Sequence, residues 1–413
     1  MRGALAPAMR RVLVPRWLLA LGVFAAMGSI GAVAVALRRK PPIDWRSAIA
    51  TSMAPRAAGD HMVQPLADGG RVELTLEPEV QRAAERLLGD ADPIQGAAVL
   101  VSVDDGRVLA LAGRHRATPQ ANDPMLATSA WAPAASVFKL VTSAALLDQG
   151  VTPTTRVCYH GGVHSVEADN LVDHPELDGR CKSLGYGLAK SQNAILARLA
   201  HDHLDPVKLE RAARALGWGE ALPFELPTAA STLSLPSDPL AFARVAAGFW
   251  NTSLSPLHGA LLAATIARGG EMPSLRMVER VVDGGGRELP LPPHAAPHRA
   301  IDAGTAEQLA RMMVGTTEWG SANRAFRDSS TGRRRLAGVR VAGKTGTLTG
   351  HDEAGLAYSW FVGFAPANHP QVAVAVLLGR ADEADVRAAE VARALLASWM
   401  TSGDQAASFV AAK

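Results

Sequence analysis

Short runs of alternating or uniformly apolar residues near both ends of the chain predict β-strands. The first runs cover residues 72–76, 97–103 and 107–111, and the last two of these flank Asp104-Asp105-Gly106, a turn sequence typical of a β-hairpin. Turn residues separate three later runs, as in an antiparallel meander. These late runs lie at residues 339–343, 359–364 and 371–378. The pattern predicts one antiparallel sheet assembled from both ends of the chain.

A helical period of apolar positions dominates the middle of the chain. It predicts helices at residues 78–88, 136–147, 186–204, 207–216, 256–267, 305–314 and 384–400. The predicted class is therefore α+β, or mixed α/β, with helices flanking the sheet and an all-helical lobe inserted between its strands. A cleft between sheet and lobe is the natural place for a reaction centre.

The first 70 residues follow a different pattern. Residues 17–37 hold no charge and match the length of a bilayer-spanning helix, so they predict an uncleaved membrane anchor. The alternative is a signal peptide cleaved near Ala32-Val33-Ala34, although the apolar stretch is long for one. A stretch of Pro, Ala, Gly and polar residues without a clear period then predicts a tether. The chain is thus divided into a cytoplasmic stretch, an anchor, a tether, a folded domain and a flexible tail, at residues 1–16, 17–37, 38–70, 71–402 and 403–413.

The net charge of +3 comes from the region around the predicted anchor. Residues 1–40 hold seven of the 42 Lys and Arg residues and none of the 39 Asp and Glu residues. The rest of the chain has 35 basic and 39 acidic residues, a net charge near −4. Because a mildly acidic body does not favour a phosphate-binding surface, we predict no nucleic-acid partner.

Three short strings supply the groups that acylation of a serine hydroxyl requires. They are Ser136-Val137-Phe138-Lys139, Ser191-Gln192-Asn193 and Lys344-Thr345-Gly346-Thr347. Lys139 is the only one of the seven lysines with a serine three residues before it, and on a helix this spacing places the amine beside the Ser136 hydroxyl. A serine needs such a base because its hydroxyl is a weak nucleophile at neutral pH. On a strand, the third string makes an anion-binding edge, where Gly346 lets a ligand approach the backbone.

The string S-x-N occurs a second time, as Ser321-Ala322-Asn323. The first copy follows Ser136 by 55 residues within an Ala-rich helical stretch, whereas the second lies only 23 residues before Lys344 in a predicted turn. Order and spacing therefore favour Ser191 and Asn193 as the residues of the site.

In this order, S-x-x-K, S-x-N and K-T-G resemble the motif set shared by the penicillin-binding proteins and the serine β-lactamases. Three further segments resemble penicillin-binding transpeptidase domains in particular, at residues 74–81, 253–257 and 359–366. The resemblance extends over residues 72–400, nearly all of the predicted folded domain. It implies a β-lactamase/transpeptidase-like fold and a monofunctional, membrane-anchored D,D-transpeptidase on the outer side of the cytoplasmic membrane. We therefore expect neither a glycosyltransferase domain nor the large N-terminal pedestal of many relatives.

The resemblance also implies how the reaction would proceed. Ser136 would attack the carbonyl of a D-Ala-D-Ala stem peptide while a neutral Lys139 takes its proton. Ser191 would relay a proton to the departing nitrogen, and Asn193 would hold the amide of the acyl chain. A neighbouring positive charge on Lys344 would help to lower the pKa of Lys139.

The same resemblance implies how substrates would be held. Lys344, Thr345 and Thr347, on either side of Gly346, would hold the terminal carboxylate, and the backbone N–H groups of Ser136 and Thr347 would form the oxyanion hole. The implied partners are peptidoglycan stem peptides, β-lactam antibiotics, the cytoplasmic membrane, and a separate glycosyltransferase or wall-synthesis complex. No cofactor is implied.

One departure from the family pattern directly precedes the nucleophile. The family usually has Pro-Gly before the serine, whereas this chain has Ala134-Ala135, with Pro133 one place earlier. The geometry of this turn therefore decides whether Ser136 is presented as in the family. An altered turn would also suit a non-catalytic penicillin-binding sensor or scaffold, which we keep as an alternative function.

A second alternative is a D,D-carboxypeptidase or β-lactamase, which transfers the acyl group to water. Class A β-lactamases place their deacylating glutamate after S-x-N, whereas Glu167 precedes Ser191, and class D enzymes usually have a valine where Asn193 stands. These differences, the predicted anchor and the segment around Trp360 favour a transpeptidase.

The two cysteines, Cys158 and Cys181, lie in the part of the chain expected outside the cytoplasm. An oxidising compartment would favour a disulfide between them, and a reducing one would leave two free thiols. The histidines either match no zinc-ligand spacing or point in different directions on a helix; these are His160, His164, His174, His201 and His203. We therefore predict no metal.

Overall fold

The computed structural model describes residues 43–51, 53–119, 121–336, 338–348, 355–381 and 387–402. The predicted cytoplasmic stretch, anchor and tail, at residues 1–16, 17–37 and 403–413, lie outside these ranges. No helix within the described ranges combines the length and the hydropathy needed to cross a bilayer. The compact unit that holds the candidate site begins at Trp45.

The described residues form a mixture of helices and strands. The helices are α1 (Trp45–Thr51), α2 (Pro78–Ala91), α3 (Met125–Thr128), α4 (Lys139–Asp148), α5 (Leu184–Lys190), α6 (Asn193–His203), α7 (Pro206–Ala215), α8 (Pro239–Ala246), α9 (Pro256–Ala267), α10 (Ala303–Glu318), α11 (Asn323–Phe326) and α12 (Ala388–Thr401). Two single 3-10 turns cover Ala135–Phe138 and Ala168–Leu171. The strands are β1 (Arg56–Ala58), β2 (His61–Pro65), β3 (Arg71–Leu74), β4 (Gln95–Ser102), β5 (Val108–His115), β6 (Ala132–Pro133), β7 (Arg156–Tyr159), β8 (Arg180–Ser183), β9 (Ser253–Leu254), β10 (Glu271–Met272), β11 (Val278–Val282), β12 (Glu288–Leu289), β13 (His298–Arg299), β14 (Ala342–Leu348), β15 (Ala357–Ala365) and β16 (Val372–Arg380).

The central sheet joins the two ends of the folded domain. Its strand order is β14-β15-β16-β4-β5, and each neighbouring pair is antiparallel. Strands β4 and β5 form the predicted hairpin, with Gly106 in the left-handed region of its turn at φ 74°. Strands β14 to β16 form the predicted meander, and β16 pairs with β4. The predicted single sheet from both chain ends is confirmed.

Helices cover both faces of this sheet. Helices α2 and α12 pack on one face through a buried cluster that includes Leu88, Leu395 and Trp399. Helix α9 packs on the opposite face and is buried along almost its whole length. It approaches the strands closely because Gly259 has no side chain: a Cβ there would lie 3.1 Å from Val362 Cγ2. The predicted mixed α+β class is therefore confirmed.

The insertion between β5 and β14 is not all-helical, so that part of the prediction is wrong. It contains helices α3 to α11, but also the antiparallel pair β7–β8, in which Cys158 lies opposite Cys181. These two strands have only four residues each and are mostly exposed or half-buried, so they carry no alternating apolar signal. Helix α8 was also not predicted from the sequence.

The folded domain begins earlier than the predicted boundary at residue 71. Residues 45–65, assigned to the tether, contain α1, β1 and β2, and β2 pairs with β3 in a second sheet. The alternation was hidden because one of the two inward positions of β2 is polar: Gln64 is buried, and its Oε1 accepts a hydrogen bond from Ala54 N at 2.8 Å. Trp45 and Ile49 supply the buried face of α1.

Candidate active site

The first string lies where a 3-10 turn becomes a helix. The turn Ala135–Phe138 carries Ser136, and α4 begins at Lys139. One helical turn separates the two side chains, and Lys139 Nζ lies 2.7 Å from Ser136 Oγ. The predicted pairing of this amine with this hydroxyl is therefore present in the structure.

The second string breaks a helix. The sequence predicted one helix over residues 186–204, but α5 ends at Lys190 and α6 begins at Asn193. Between them Ser191 adopts the left-handed conformation, with φ 57° and ψ 36°. Such a break is usually marked by glycine, and a serine in an Ala-rich stretch gave no such signal. The break turns both the hydroxyl of Ser191 and the amide of Asn193 towards Lys139.

Lys139 Nζ is surrounded by oxygen atoms. Besides Ser136 Oγ, it lies 2.6 Å from Asn193 Oδ1 and 3.3 Å from both Ser191 O and Ser191 Oγ. A neutral amine has two N–H donors and one lone pair. It can donate to Asn193 Oδ1 and Ser191 O while its lone pair accepts the proton of Ser136, which is the geometry a general base requires.

The third string lies on β14, as predicted. Lys344 Nζ donates to Ser191 Oγ at 2.9 Å and to the carbonyl oxygen of Thr345 at 2.6 Å. Ser191 Oγ therefore lies between two lysine amines. Gly346 lets the strand approach the nucleophile, since a Cβ there would lie 3.3 Å from Val137 Cγ2 and 3.0 Å from Trp360 Cβ.

Burial changes the charge state of both lysines. Lys139 and Lys344 are completely buried. Burial, and to a smaller extent the nearby charge of Lys344, lowers the pKa of Lys139 well below the usual lysine value. Burial alone lowers the pKa of Lys344 to about 7. Burial thus favours the neutral form of the Lys139 amine beside the serine, and the pKa of the second amine, that of Lys344, lies near neutral pH.

The turn before the nucleophile is held from three sides despite its unusual sequence. Ala135 takes a left-handed φ of 47°, a conformation that glycine adopts more easily. Trp360 Nε1 donates to Pro133 O at 2.9 Å, and Ala134 N donates to Thr252 O at 3.2 Å. Gly248 packs against the backbone of this turn, because a Cβ on Gly248 would lie only 2.5 Å from Ala135 O. The alanine therefore reaches the geometry that glycine would provide.

The structure brings one further residue to the site. Because side chains alternate along a strand, Thr345 and Thr347 point away from the face that carries Lys344. Ser321, from the S-x-N copy that the spacing argument set aside, forms a hydrogen bond of 2.5 Å between its Oγ and Thr345 Oγ1. The repeated string was the available signal, but its sequence distance from the other motifs concealed this contact.

The loop between β7 and β8 forms another wall of the site. Cys158 and Cys181 are paired across these strands, with their sulfur atoms 1.92 Å apart. Within the loop, Val163 O accepts a hydrogen bond of 2.8 Å from Asn193 Nδ2. A Cβ on Gly162 would lie 2.5 Å from Ala194 Cβ, so the loop packs closely against the start of α6.

The histidines of this loop take part in ion pairs. His160 contacts Asp178 Oδ1 at 2.7 Å and Asp169 Oδ2 at 2.9 Å, and these carboxylates raise its pKa. His174 Nε2 also contacts Asp169, at 2.6 Å. Across the described residues, no group of three or more His, Cys, Asp or Glu side chains is arranged to hold a metal ion.

Comparison with known families agrees with this geometry. A family model described as "Penicillin binding protein transpeptidase domain" matches residues 96–397, which include the central sheet and all three strings. The chain belongs to the penicillin-binding protein transpeptidase family. The resemblance inferred from the three strings is thereby confirmed.

Similar penicillin-binding proteins occur in mycobacteria. The peptidoglycan D,D-transpeptidase PbpA of Mycolicibacterium smegmatis is 30% identical over 344 residues, which cover 75% of this chain and 67% of the relative. PbpA of Mycobacterium tuberculosis is 28% identical over 341 residues, with the same coverage of each chain.

Solved structures share the fold. Penicillin-binding protein A from M. tuberculosis, as an imipenem acyl-enzyme complex, aligns with a TM-score of 0.66 and 26% identity over 81% of this chain and 80% of that one. Its penicillin G acyl-enzyme complex aligns with a TM-score of 0.65 and 25% identity over 81% of each chain.

Proposed function

We propose that this penicillin-binding protein is a peptidoglycan D,D-transpeptidase that cross-links stem peptides and is acylated by β-lactams. The observation that carries the proposal is a fully buried Lys139 with a lowered pKa, 2.7 Å from Ser136 Oγ. Relatives named as D,D-transpeptidases and a related structure in acyl-enzyme complexes support it.

In the proposed acylation step, neutral Lys139 accepts the proton of Ser136 as Oγ bonds to the carbonyl carbon of the penultimate D-alanine. The bond to the terminal D-alanine nitrogen then breaks. Ser191 delivers a proton to that nitrogen, and its position between the amines of Lys139 and Lys344 suits this relay. Terminal D-alanine leaves, and an ester on Ser136 is left behind.

Substrate binding in this proposal uses both sides of the cleft. Asn193 holds the amide of the acyl chain. Lys344 attracts the terminal carboxylate by its charge, and the hydroxyls of Thr345 and Thr347 hold it at the edge strand β14 beside Gly346. The charged form of Lys344 is the one that attracts a carboxylate, so binding depends on its protonation. The backbone N–H groups of Ser136 and Thr347 would stabilise the oxyanion.

We also propose that the catalytic domain lies on the extracytoplasmic side of the membrane, anchored by residues 17–37. The pairing of Cys158 with Cys181 supports this location, because disulfides persist in oxidising compartments. A separate glycosyltransferase or wall-synthesis complex would supply the glycan strands.

The direct test is intact-mass measurement after incubation with penicillin G. We expect wild-type protein to gain the mass of one antibiotic molecule, and Ser136→Ala to gain none. Ser143→Ala is a matched control: this hydroxyl is buried on α4, the helix that follows Ser136, and its Oγ has no hydrogen-bond partner in the described part of the chain. An adduct on Ser136→Ala, or none on the wild type, would reject the proposal.

A second measurement separates transfer from hydrolysis. A D-Ala-D-Ala pentapeptide is incubated with an amine acceptor, and the products are identified by mass. We expect an amide product with the acceptor. Release of the free acid alone would identify a carboxypeptidase, and acylation by penicillin without turnover of the peptide would identify a sensor or scaffold.

A further inference from the structure

A cavity of about 320 Å³ opens along the side of β14 that carries Thr345 and Thr347. Its opposite wall is formed by the second S-x-N region and by the start of α12, which contribute Ser321, Arg324 and Arg387. The acylation chemistry proposed above uses none of these three residues. Trp360 also lines this cavity and donates to the carbonyl of Pro133 just before the nucleophile, so the cavity and the reaction centre share this residue.

The wall that carries Ser321 is held firmly in place. Ser321 N donates to Ala189 O at 2.9 Å, and its Oγ contacts Thr345 Oγ1. The preceding Gly320 packs so tightly that a Cβ there would lie 2.2 Å from Ala189 O. Glu318, just before it, accepts hydrogen bonds from the side chains of Arg327 and Arg334. A ligand in the cavity would therefore meet a preorganised surface.

The described residues that line the cavity carry more positive than negative charge. Arg324 and Arg387 are both exposed, and neither guanidinium forms an ion pair with a described carboxylate. One carboxylate, that of Glu390, lies in the same cavity and accepts the Arg387 backbone N–H at 2.6 Å. Among the described lining residues, two guanidinium groups against one carboxylate leave an excess of one positive charge. Arginine beside hydroxyl donors is a combination that binds carboxylates.

The second half of the reaction, transfer to an acceptor, indicates which carboxylate would bind in this cavity. An acceptor amine attacks the acyl ester from the side on which the terminal D-alanine departed, because formation and aminolysis of the ester are the same step in opposite directions. The departing amine carries a carboxylate on the adjacent carbon, and in the binding mode proposed above that carboxylate faces Thr345 and Thr347. If the acceptor amine also has a carboxylate on the adjacent carbon, that carboxylate would lie at the same edge of β14.

We propose that Ser321, Arg324 and Arg387 form a subsite for the carboxylate of amino-acid acceptors, and so select amines that carry a neighbouring carboxylate. This inference rests on the proposed transpeptidase function. In the step concerned, the acceptor nitrogen bonds to the acyl carbon while the ester bond to Ser136 Oγ breaks. A proton from the amine passes through Ser191 and Lys139 to Ser136 Oγ, the reverse of the acylation relay, so no other reactant is needed.

The test compares two acceptors that differ only in the carboxylate, D-alanine and D-alaninamide. The donor is a thioester of N-benzoyl-D-alanine with a neutral leaving group, so that acylation itself involves no second carboxylate. Release of the thiol measures acylation, and mass spectrometry measures transfer against hydrolysis. The proteins are wild type, Arg324→Gln, Arg387→Gln and the double variant. Arg211→Gln, an exposed arginine on α7, is the matched control.

We expect wild type to prefer D-alanine. Each single variant should raise the D-alanine concentration that gives half-maximal transfer by about threefold to tenfold, with a larger effect in the double variant. Transfer to D-alaninamide should not change, and Arg211→Gln should behave as wild type. Arg324→Lys should recover part of the loss, which separates the charge from any effect on folding.

Two results would overturn the subsite. The first is equal use of both acceptors by the wild type, and the second is the same loss with D-alanine and D-alaninamide in the variants. Failure of the wild type to release thiol would instead reject the proposed acyl-enzyme chemistry on which the subsite depends. Because acylation is measured separately, these failures are distinguishable.

Discussion

The two copies of S-x-N meet neighbouring residues of the same strand but face different surroundings. Ser191 contacts Lys344 and lies beside a second buried amine, that of Lys139. Ser321 contacts Thr345, the next residue along β14, and faces an open cavity with exposed arginines. We therefore propose that the first copy transfers protons and that the second binds an anion.

The backbone also differs between the two copies. Ser191 adopts a left-handed φ of 57° in a break between two helices. Ser321 lies in a turn before α11, held by its backbone hydrogen bond to Ala189. The comparison teaches that the string itself does not determine the role. The role of the first copy depends instead on the two buried lysines that contact it.

The largest expected effect comes from removing the hydroxyl in each copy. Ser191→Ala should lower the second-order rate constant for acylation by penicillin G by about 10² to 10³-fold, because it removes the proton relay between two amines. Ser321→Ala should lower the same constant by less than about tenfold, since it removes one hydrogen bond to Thr345.

Stopped-flow or mass-resolved kinetics would measure both constants, and thermal unfolding would check that both variants fold. If the two substitutions slowed acylation equally, the distinction between a relay copy and a binding copy would be wrong.

The second expected effect concerns pH, and it follows from the lysine that only the first copy contacts. The pKa of Lys344 is lowered to about 7. As pH rises through this value the free enzyme loses the charge that attracts the substrate carboxylate, so the second-order acylation constant should fall by up to about tenfold per pH unit above pH 7. Neutral Lys139 is still available as base, because its pKa is lowered as well.

Lys344→Arg sharpens this prediction. A guanidinium keeps its charge through the alkaline range, so the fall above pH 7 should disappear even if the variant is slower overall. Ser321→Ala should keep the fall, because Ser321 has no contact with Lys344. Persistence of the fall in Lys344→Arg would assign it to another group.

Local signals made part of this architecture predictable. The β4–β5 hairpin followed from its Asp-Gly turn, and the predicted bounds of α9 agree with Pro256–Ala267 because Ser255 Oγ caps His258 N and a proline occupies the first turn. The pairing of Ser136 with Lys139 followed from helical spacing alone. Each of these features is decided by residues a few positions apart.

Features decided over long distances could not be predicted in the same way. The contact between Ser321 and Thr345 joins residues 24 positions apart through the packing of α10 and β14. At the break, the hydroxyl of Ser191 contacts Lys139 and Lys344, which are 52 and 153 positions away in the sequence. Contacts between residues so far apart leave no periodic pattern in the sequence. The sequence therefore identifies the three strings but does not show which of their residues contact each other.

The smallest expected effect concerns the strained backbone just before Ser136, and it tests whether that strain is needed for acylation. Ala135 and Ser191 are both non-glycine residues with positive φ, and they lie on either side of Lys139. Ala135→Gly removes the cost of a left-handed alanine, about 1–2 kcal/mol, but loses a buried methyl and gains chain entropy in the unfolded state. These terms nearly cancel, so the free energy of unfolding measured in urea should change by less than about 1 kcal/mol, and the rate of acylation by penicillin G should stay within about threefold of wild type.

Ala135→Val should lower both the free energy of unfolding and the rate of acylation, because a β-branched residue fits this conformation poorly. A tenfold loss of acylation in Ala135→Gly would mean that the alanine methyl itself, and not the backbone conformation held by Gly248 and Trp360, positions the nucleophile.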